Sequence, residues 1–265
     1  MNLLVIGGSG RLGRALLGKG TAATYHRRPA DVPGVRWYSL DIRNRDDTLT
    51  LLRRLRPAVV VNAAFAQHDW ATTADGATHV AAAVADVGAR LVHVSSDAVF
   101  GGRAEPYDER CSPDPATPYG AAKAAAETAV KGLVPAVVIA RTSLIVGGGD
   151  SVHERRVHDL VSGAVDGALF TDDVRCPVHV TDLAAALLEL ATSPFSGIHH
   201  VAGPDALSRH ELGVLIARRD GLDPTRLRAA RRAEAGPPGP LVVKLDCAMT
   251  RTRLSTRLRG AREFL

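Results

Sequence analysis

Tyr119 stands four residues before Lys123 in TPYGAAKAAAE, the stretch from Thr117 to Glu127. The chain has four tyrosines, and its only lysines are Lys19, Lys123, Lys131 and Lys244; its other cationic side chains are arginines. Thr117 is a good N-cap and Pro118 a good first helical residue, so a helix starting there places positions 119 and 123 on one face. A free tyrosine keeps its proton up to a pH near ~10. An adjacent ammonium favours the phenolate and lowers that pKa, so the pair is expected to exchange a proton with a substrate oxygen near neutral pH. Just upstream, VHVSSDAVFGG places Ser95 and Ser96 at the end of a strand, where doubly wound sheets bind ligands. Either hydroxyl could hydrogen-bond a carbonyl; a strand-end turn is the alternative.

Chemistry of this kind needs a second reactant, and the N-terminus supplies a place for one. In VIGGSGRLGRALL, Gly7, Gly10 and Gly13 form G-x-x-G-x-x-G, with Ser9, Arg11 and Leu12 between them. Glycines at this spacing let the backbone turn tightly and approach a dinucleotide pyrophosphate. The second strand ends in TYHRRP, with Arg27 and Arg28 and no acid until Asp31. NAD binders usually place a carboxylate there. Two guanidiniums suit a 2′-phosphate instead, so NADPH is expected and NADH is less favoured. Asp41, followed by Ile42 in SLDIRN, could reach the adenine edge, or cap the next helix.

The elements that must position these residues are legible as an alternation. Residues 2–6, 21–25, 35–40, 58–64, 90–96 and 136–140 read as strands without strict polar alternation, as strands buried on both faces do. Helix-period segments lie between them. The pattern predicts an α/β fold, a doubly wound parallel sheet of Rossmann type with a smaller C-terminal substrate-binding lobe. The core should span 1–146, with its last strands returning near 178–202. The lobe would hold 147–177 and 203–265. Ser208 and Glu211 read as a capping box, AEAGPPGP as a loop, and RTRLSTRLRGAREF, with Leu254 and Leu258 four apart, as an amphipathic helix.

With 265 residues and 46% apolar composition, the chain can bury a sizeable core. No apolar run is long enough to span a bilayer, and MNLLVIGGSG reads as a first strand rather than a leader. Cys111, Cys176 and Cys247 lack metal-type spacing and fit free thiols in a reducing cytoplasm. The net charge of +5 is compatible with phosphorylated small molecules, and no nucleic-acid motif accompanies it. HERRVH spaces His153 and His158 five apart, so they diverge on a helix and no metal is expected. His199 and His200 are expected on opposite faces of a strand as structural residues. Arg175 in VRCPVHV is a guanidinium that could hold a diphosphate.

Together, the glycine turn, VVNAA, SSDAVFGG, YGAAK and RTSLIVG resemble the extended short-chain dehydrogenase/reductase superfamily, in its dTDP-4-dehydrorhamnose reductase-like branch of sugar-nucleotide-binding proteins. CPVHVTDLAAALLELA and GIHHVAGPDALSRHELG resemble that group's C-terminal motifs, so the likeness covers nearly the whole chain. The resemblance implies that Ser96 is the catalytic hydroxyl, Tyr119 the proton donor and Lys123 the holder of the nicotinamide ribose. It also implies that Ala63 and Ala64 line the cofactor, and that Asp97 and Arg175 lie on the substrate side. The implied activity is NADPH-dependent reduction of a nucleotide-activated 4-keto-6-deoxy sugar or another biosynthetic keto intermediate. The partner is then a small molecule, with no nucleic acid or membrane, and a homodimer stays open. Ala98 stands where related dehydratases carry a glutamate, which argues against dehydration. Leu144 replaces the tryptophan usual in the family's reductases, and FAQHDWATTADG differs from the usual substrate-side sequence. Two alternatives remain: a non-catalytic dinucleotide-binding regulatory subunit, and an epimerase with tightly held NAD, which the absent acid after the second strand disfavours.

Overall fold

The computed structural model describes residues 2–265. Seven parallel strands form the central sheet: β1 (Leu3–Ile6), β2 (Ala22–Tyr25), β3 (Arg36–Ser39), β4 (Val59–Asn62), β5 (Arg90–Ser96), β6 (Val138–Thr142) and β7 (Gly197–His200), ordered β7-β6-β5-β4-β1-β2-β3. The order reverses between β1 and β4, which opens a crevice at the carboxyl ends of those strands.

Alternate residues of each strand feed two cores. Leu3, Val5, Val59, Val61, Val92 and Val94 meet helices α1 (Arg11–Ala15) and α6 (Val180–Thr192) through Leu12, Leu183 and Leu187. Leu4, Ile6, Val60, Leu91 and Ile139 meet α2 (Arg45–Leu55), α3 (Gly76–Val87) and α4 (Pro118–Leu133). Apolar residues are needed on both faces, which explains the runs without polar alternation.

The remaining chain builds against the β5–β6 side. Helices α5 (Val152–Ser162) and α7 (Arg209–Arg219) enclose a separate cluster around Val157, Leu160, Leu212 and Ile216. Both begin with capping boxes, Ser151 with Glu154 and Ser208 with Glu211. A further cluster gathers Phe100, Tyr107, Cys176, Val243 and Cys247. Among the described residues no helix is long and apolar enough to cross a membrane.

The helix expected over 251–264 is instead two four-residue turns, Ala248–Arg251 and Ala261–Phe264, joined by an irregular stretch. That stretch is tied down by α6. Glu189 accepts from the backbone amides of Ser255 and Thr256, and Asp182 pairs with Arg259 at 2.7 Å. These bonds compete with the i,i+4 ladder. The first helix is also shorter than RLGRALLGK suggested, ending at Ala15, ahead of Gly18 and Gly20.

Candidate active site

Ser96 ends β5 and turns the chain into a 3-10 turn, Asp97–Val99. Its Oγ accepts from the Ala98 amide and donates to Asp97 Oδ1, both at 3.2 Å. The Ser95 hydroxyl points away and donates to Glu127 Oε1 at 2.5 Å. Of the two serines, Ser96 alone keeps its hydroxyl at the strand end. Helix α4 begins as expected, with Thr117 Oγ1 accepting from the Gly120 amide at 3.1 Å. A Cβ on Gly120 would collide with the Ala98 carbonyl oxygen, so glycine lets α4 press against the Ser96 turn.

Tyr119 is half-buried beside this turn. Burial raises its pKa above the usual tyrosine value, the Asp97 charge adds to the rise, and the Ser96 hydroxyl offsets only part of it. Lys123 is 3% exposed and donates from Nζ to the Val94 carbonyl at 3.0 Å. Burial lowers its pKa to about 8, against the opposing charge of Glu127. The expected lowering of the tyrosine pKa by lysine is therefore not what the site displays. The ammonium faces a backbone carbonyl and the Phe65 ring, 5.3 Å away, and desolvation dominates the phenol.

Ser96, Tyr119 and Lys123 open on one cavity of about 1080 Å³, larger than the ~300–1,000 Å³ typical of one small-molecule site. At one end it is walled by Gly10, Arg11, Leu12, Gly13 and Ala63, at the other by Asp97 and Arg175. Gly7 adopts φ +81°, and a Cβ there would lie 2.8 Å from the Ala64 amide nitrogen. A Cβ on Gly13 would overlap the Gly7 carbonyl oxygen. The turn thus requires glycine, and it forms a close backbone cradle of the kind a pyrophosphate needs. Arg11 adds buried Nε and Nη2 atoms without hydrogen-bond partners. A smaller recess of about 420 Å³ joins Ser9, Arg14, His26, Arg27 and Arg28. The donor set of the two recesses fits a phosphorylated dinucleotide.

Gly7, Asp41, Ile42 and Ala64 lie outside both recesses. Gly7 and Ala64 back each other beneath the turn, and Ile42 is buried against Gly76. Asp41 lies beside the smaller recess, 3.5 Å from His26, and does not cap α2. Asn44 caps α2, and Arg43 grips Asp41 at 2.6 Å, holding its carboxyl down to about 2.

The far end departs from expectation more sharply. The Arg175 guanidinium donates to the carbonyls of Val174, Leu241 and Pro240 and pairs with Asp173 at 2.9 Å. Asp97 accepts from Ser143 at 2.6 Å and from Ser96, and lies 3.8 Å from Arg175. Both groups are engaged by the protein and brace the wall and the Ser96 turn while lining the cavity. Arg209 and Arg232, which sequence reading missed, join Asp173 at 3.3 and 3.1 Å and line the same cavity. Three guanidiniums gather around two carboxylates, Asp173 and Asp97, leaving this end net positive. His153 also lines the cavity, 3.4 Å from Arg209, and burial pushes its pKa down to about 3, so it is neutral. His158 diverges from it and pairs with Asp220 at 2.7 Å. No local motif marks Arg209 or Arg232, because they converge from distant segments; the abundance of arginine was the only trace.

Comparison with known proteins agrees with this architecture. The family model described as the RmlD substrate binding domain matches residues 1–265. The dTDP-4-dehydrorhamnose reductase of Mycobacterium tuberculosis is 35% identical over 180 residues, 64% of this chain; the match spans only 59% of that relative's length. The dTDP-4-keto-6-deoxy-D-glucose reductase of Streptomyces niveus is 30% identical over 237 residues, 85% of this chain and 81% of the relative. The crystal structure of dTDP-4-dehydrorhamnose reductase from Bacillus anthracis in complex with NADP superposes with a TM-score of 0.83 at 25% identity, covering 98% of this chain and 95% of that one. With a family match over its full length and a glycine cradle, strand-end serine and Tyr–Lys helix on one crevice, the chain belongs to the RmlD substrate binding domain family, within the extended short-chain dehydrogenase/reductases.

Proposed function

We propose that the protein is an NADPH-dependent ketoreductase acting on a nucleotide-activated 4-keto-6-deoxy sugar. The observation that carries this reading is that Ser96, Tyr119 and Lys123 share one cavity between a glycine cradle and an arginine-lined wall. Bound at Gly10–Gly13 with its 2′-phosphate toward Arg27 and Arg28, NADPH supplies a hydride to the keto carbon. Ser96 and Tyr119 hydrogen-bond the carbonyl oxygen. The alkoxide character that this oxygen gains makes it a strong base, and it takes the Tyr119 phenol proton. A raised phenol pKa suits that direction, because the donor is fully protonated at neutral pH. The Lys123 ammonium, held by the Val94 carbonyl, holds the ribose and stabilises the phenolate left behind. The lobe of 147–177 and 203–265 binds the nucleotide sugar, with its diphosphate toward Arg209 in the arginine-lined wall.

The names of the Mycobacterium tuberculosis, Streptomyces niveus and Bacillus anthracis relatives support the substrate class, and the NADP of the last supports the cofactor. Mixing the protein with NADPH and dTDP-4-keto-6-deoxyglucose should consume NADPH, read as loss of absorbance at 340 nm. Unchanged absorbance across keto-sugar nucleotides would refute the reading.

Two results follow from the cofactor end. Arg27→Ala with Arg28→Ala should weaken NADPH by about 10- to 150-fold, the equivalent of ~1.5–3 kcal/mol for a charge-assisted contact, and leave NADH unchanged. Calorimetric titration with both cofactors checks it, and equal loss for both would contradict it. The second concerns pH. Lys123 loses its ammonium as pH rises through about 8. The pH profile of kcat/KM should therefore fall on its alkaline side near that value; a flat profile to pH 10 would remove the ammonium from the mechanism.

A further inference from the structure

Among the described residues, five large apolar side chains are exposed: Phe65, Trp70, Leu133, Val152 and Met249. Three of them, Phe65 at 55%, Trp70 at 50% and Val152 at 64%, line the cavity that holds Ser96 and Tyr119. Scattered exposed apolar residues need no explanation, but a group of them at one cleft marks surface that a ligand covers. They come from opposite sides. Phe65 and Trp70 follow β4, and Val152 opens α5.

The loop that presents Trp70 is braced from within. Thr73 Oγ1 donates to the Ala66 carbonyl at 2.7 Å and accepts from the Ala66 amide at 3.1 Å. Asp69 accepts from Thr72 Oγ1 at 2.7 Å and faces Arg43 at 3.6 Å. Ala71–Asp75 then forms a π-helical turn, a rare conformation frequent at functional sites. Trp70 is thus held out by its own loop. Phe65 continues the surface inward, with its ring centroid 6.0 Å from that of Tyr119.

The cavity offers charge at Arg209 and Arg232 and hydroxyls at Ser96 and Tyr119, but a hexose also carries a face of C–H groups, and a 6-deoxy sugar adds a methyl. These need apolar cover. Resting on the ketoreductase reading, the geometry points to Trp70, backed by Phe65, as the platform on which the C–H face of the substrate's hexose ring packs while its keto group lies at Ser96 and Tyr119. Trp70 then contributes affinity for the sugar and none for the nucleotide or the cofactor.

Calorimetric titration of the NADP-saturated protein with dTDP and with dTDP-rhamnose tests this. The parent should bind dTDP-rhamnose more tightly than dTDP. Trp70→Ala should lose about tenfold in dTDP-rhamnose affinity while dTDP and NADP stay within about twofold, and Trp70→Phe should keep most of the affinity because a ring remains. Unchanged dTDP-rhamnose affinity in Trp70→Ala overturns the platform. So does equal weakening of both ligands, which would place the base there, or weakening of NADP alone. A parent that binds neither ligand overturns the ketoreductase reading and the platform together, whereas a parent that binds both isolates the platform's own failure.

Discussion

Tyr119→Phe is expected to lower turnover by about 10²–10⁴-fold, the usual range for loss of a positioned general acid, with the fold and NADPH affinity preserved. Phenylalanine keeps the ring, including its contact with Phe65, and removes only the oxygen and its proton. That oxygen is the group poised to serve. Burial keeps it protonated, and it sits on the first turn of α4, pressed against the Ser96 turn where Gly120 meets Ala98. Single-turnover rates with circular dichroism and cofactor titration separate the contributions. Turnover within a few-fold of the parent would mean that the Tyr–Lys spacing is a coincidence of the helix surface.

The largest expected loss of stability lies about two turns further along the same helix. Glu127 and Arg141 form an ion pair at 2.7 Å, Arg141 is fully buried, and its guanidinium also donates to the Cys111 carbonyl and lies over Phe100. Glu127→Ala would leave that cation without its partner and strand the Ser95 hydroxyl. Removing one member of a buried pair typically costs about 3–5 kcal/mol. Urea denaturation should show a midpoint lowered accordingly, and the double variant Glu127→Leu with Arg141→Met should recover much of the loss. A Glu127→Ala variant within about 1 kcal/mol of the parent would contradict the account of this core.

Much of the fold was legible because its signals are local. The strands needed apolar residues on both faces, and Val59–Asn62 or Arg90–Ser96 could be read from that requirement alone. Thr117–Pro118 and the Ser208–Glu211 box set helix starts through bonds spanning three residues. The misread elements depend on partners far away in sequence. Leu254 and Leu258 have helical spacing, yet Glu189 holds the amides of Ser255 and Thr256, and Asp182 that of Arg259, in an irregular path. Arg175 lines the expected cavity, but carbonyls at 240 and 241 occupy its guanidinium. Arg209 and Arg232 reach the site only because Asp173 gathers them. The Tyr–Lys pair was found by spacing. Its electrostatics were not, because burial, invisible in a four-residue motif, raises the phenol and lowers the ammonium.

In the proposed reaction a hydride passes to a sugar keto carbon and Tyr119 protonates the oxygen. NADPH carrying deuterium at the transferable position, incubated with the parent protein and dTDP-4-keto-6-deoxyglucose, tests it most directly. One deuterium is expected at C4 of the product sugar, one per NADPH consumed, and almost none in the same time with Tyr119→Phe. A parent protein that binds the labelled cofactor and both nucleotide ligands yet transfers no deuterium would contradict it and identify the chain as a binding subunit.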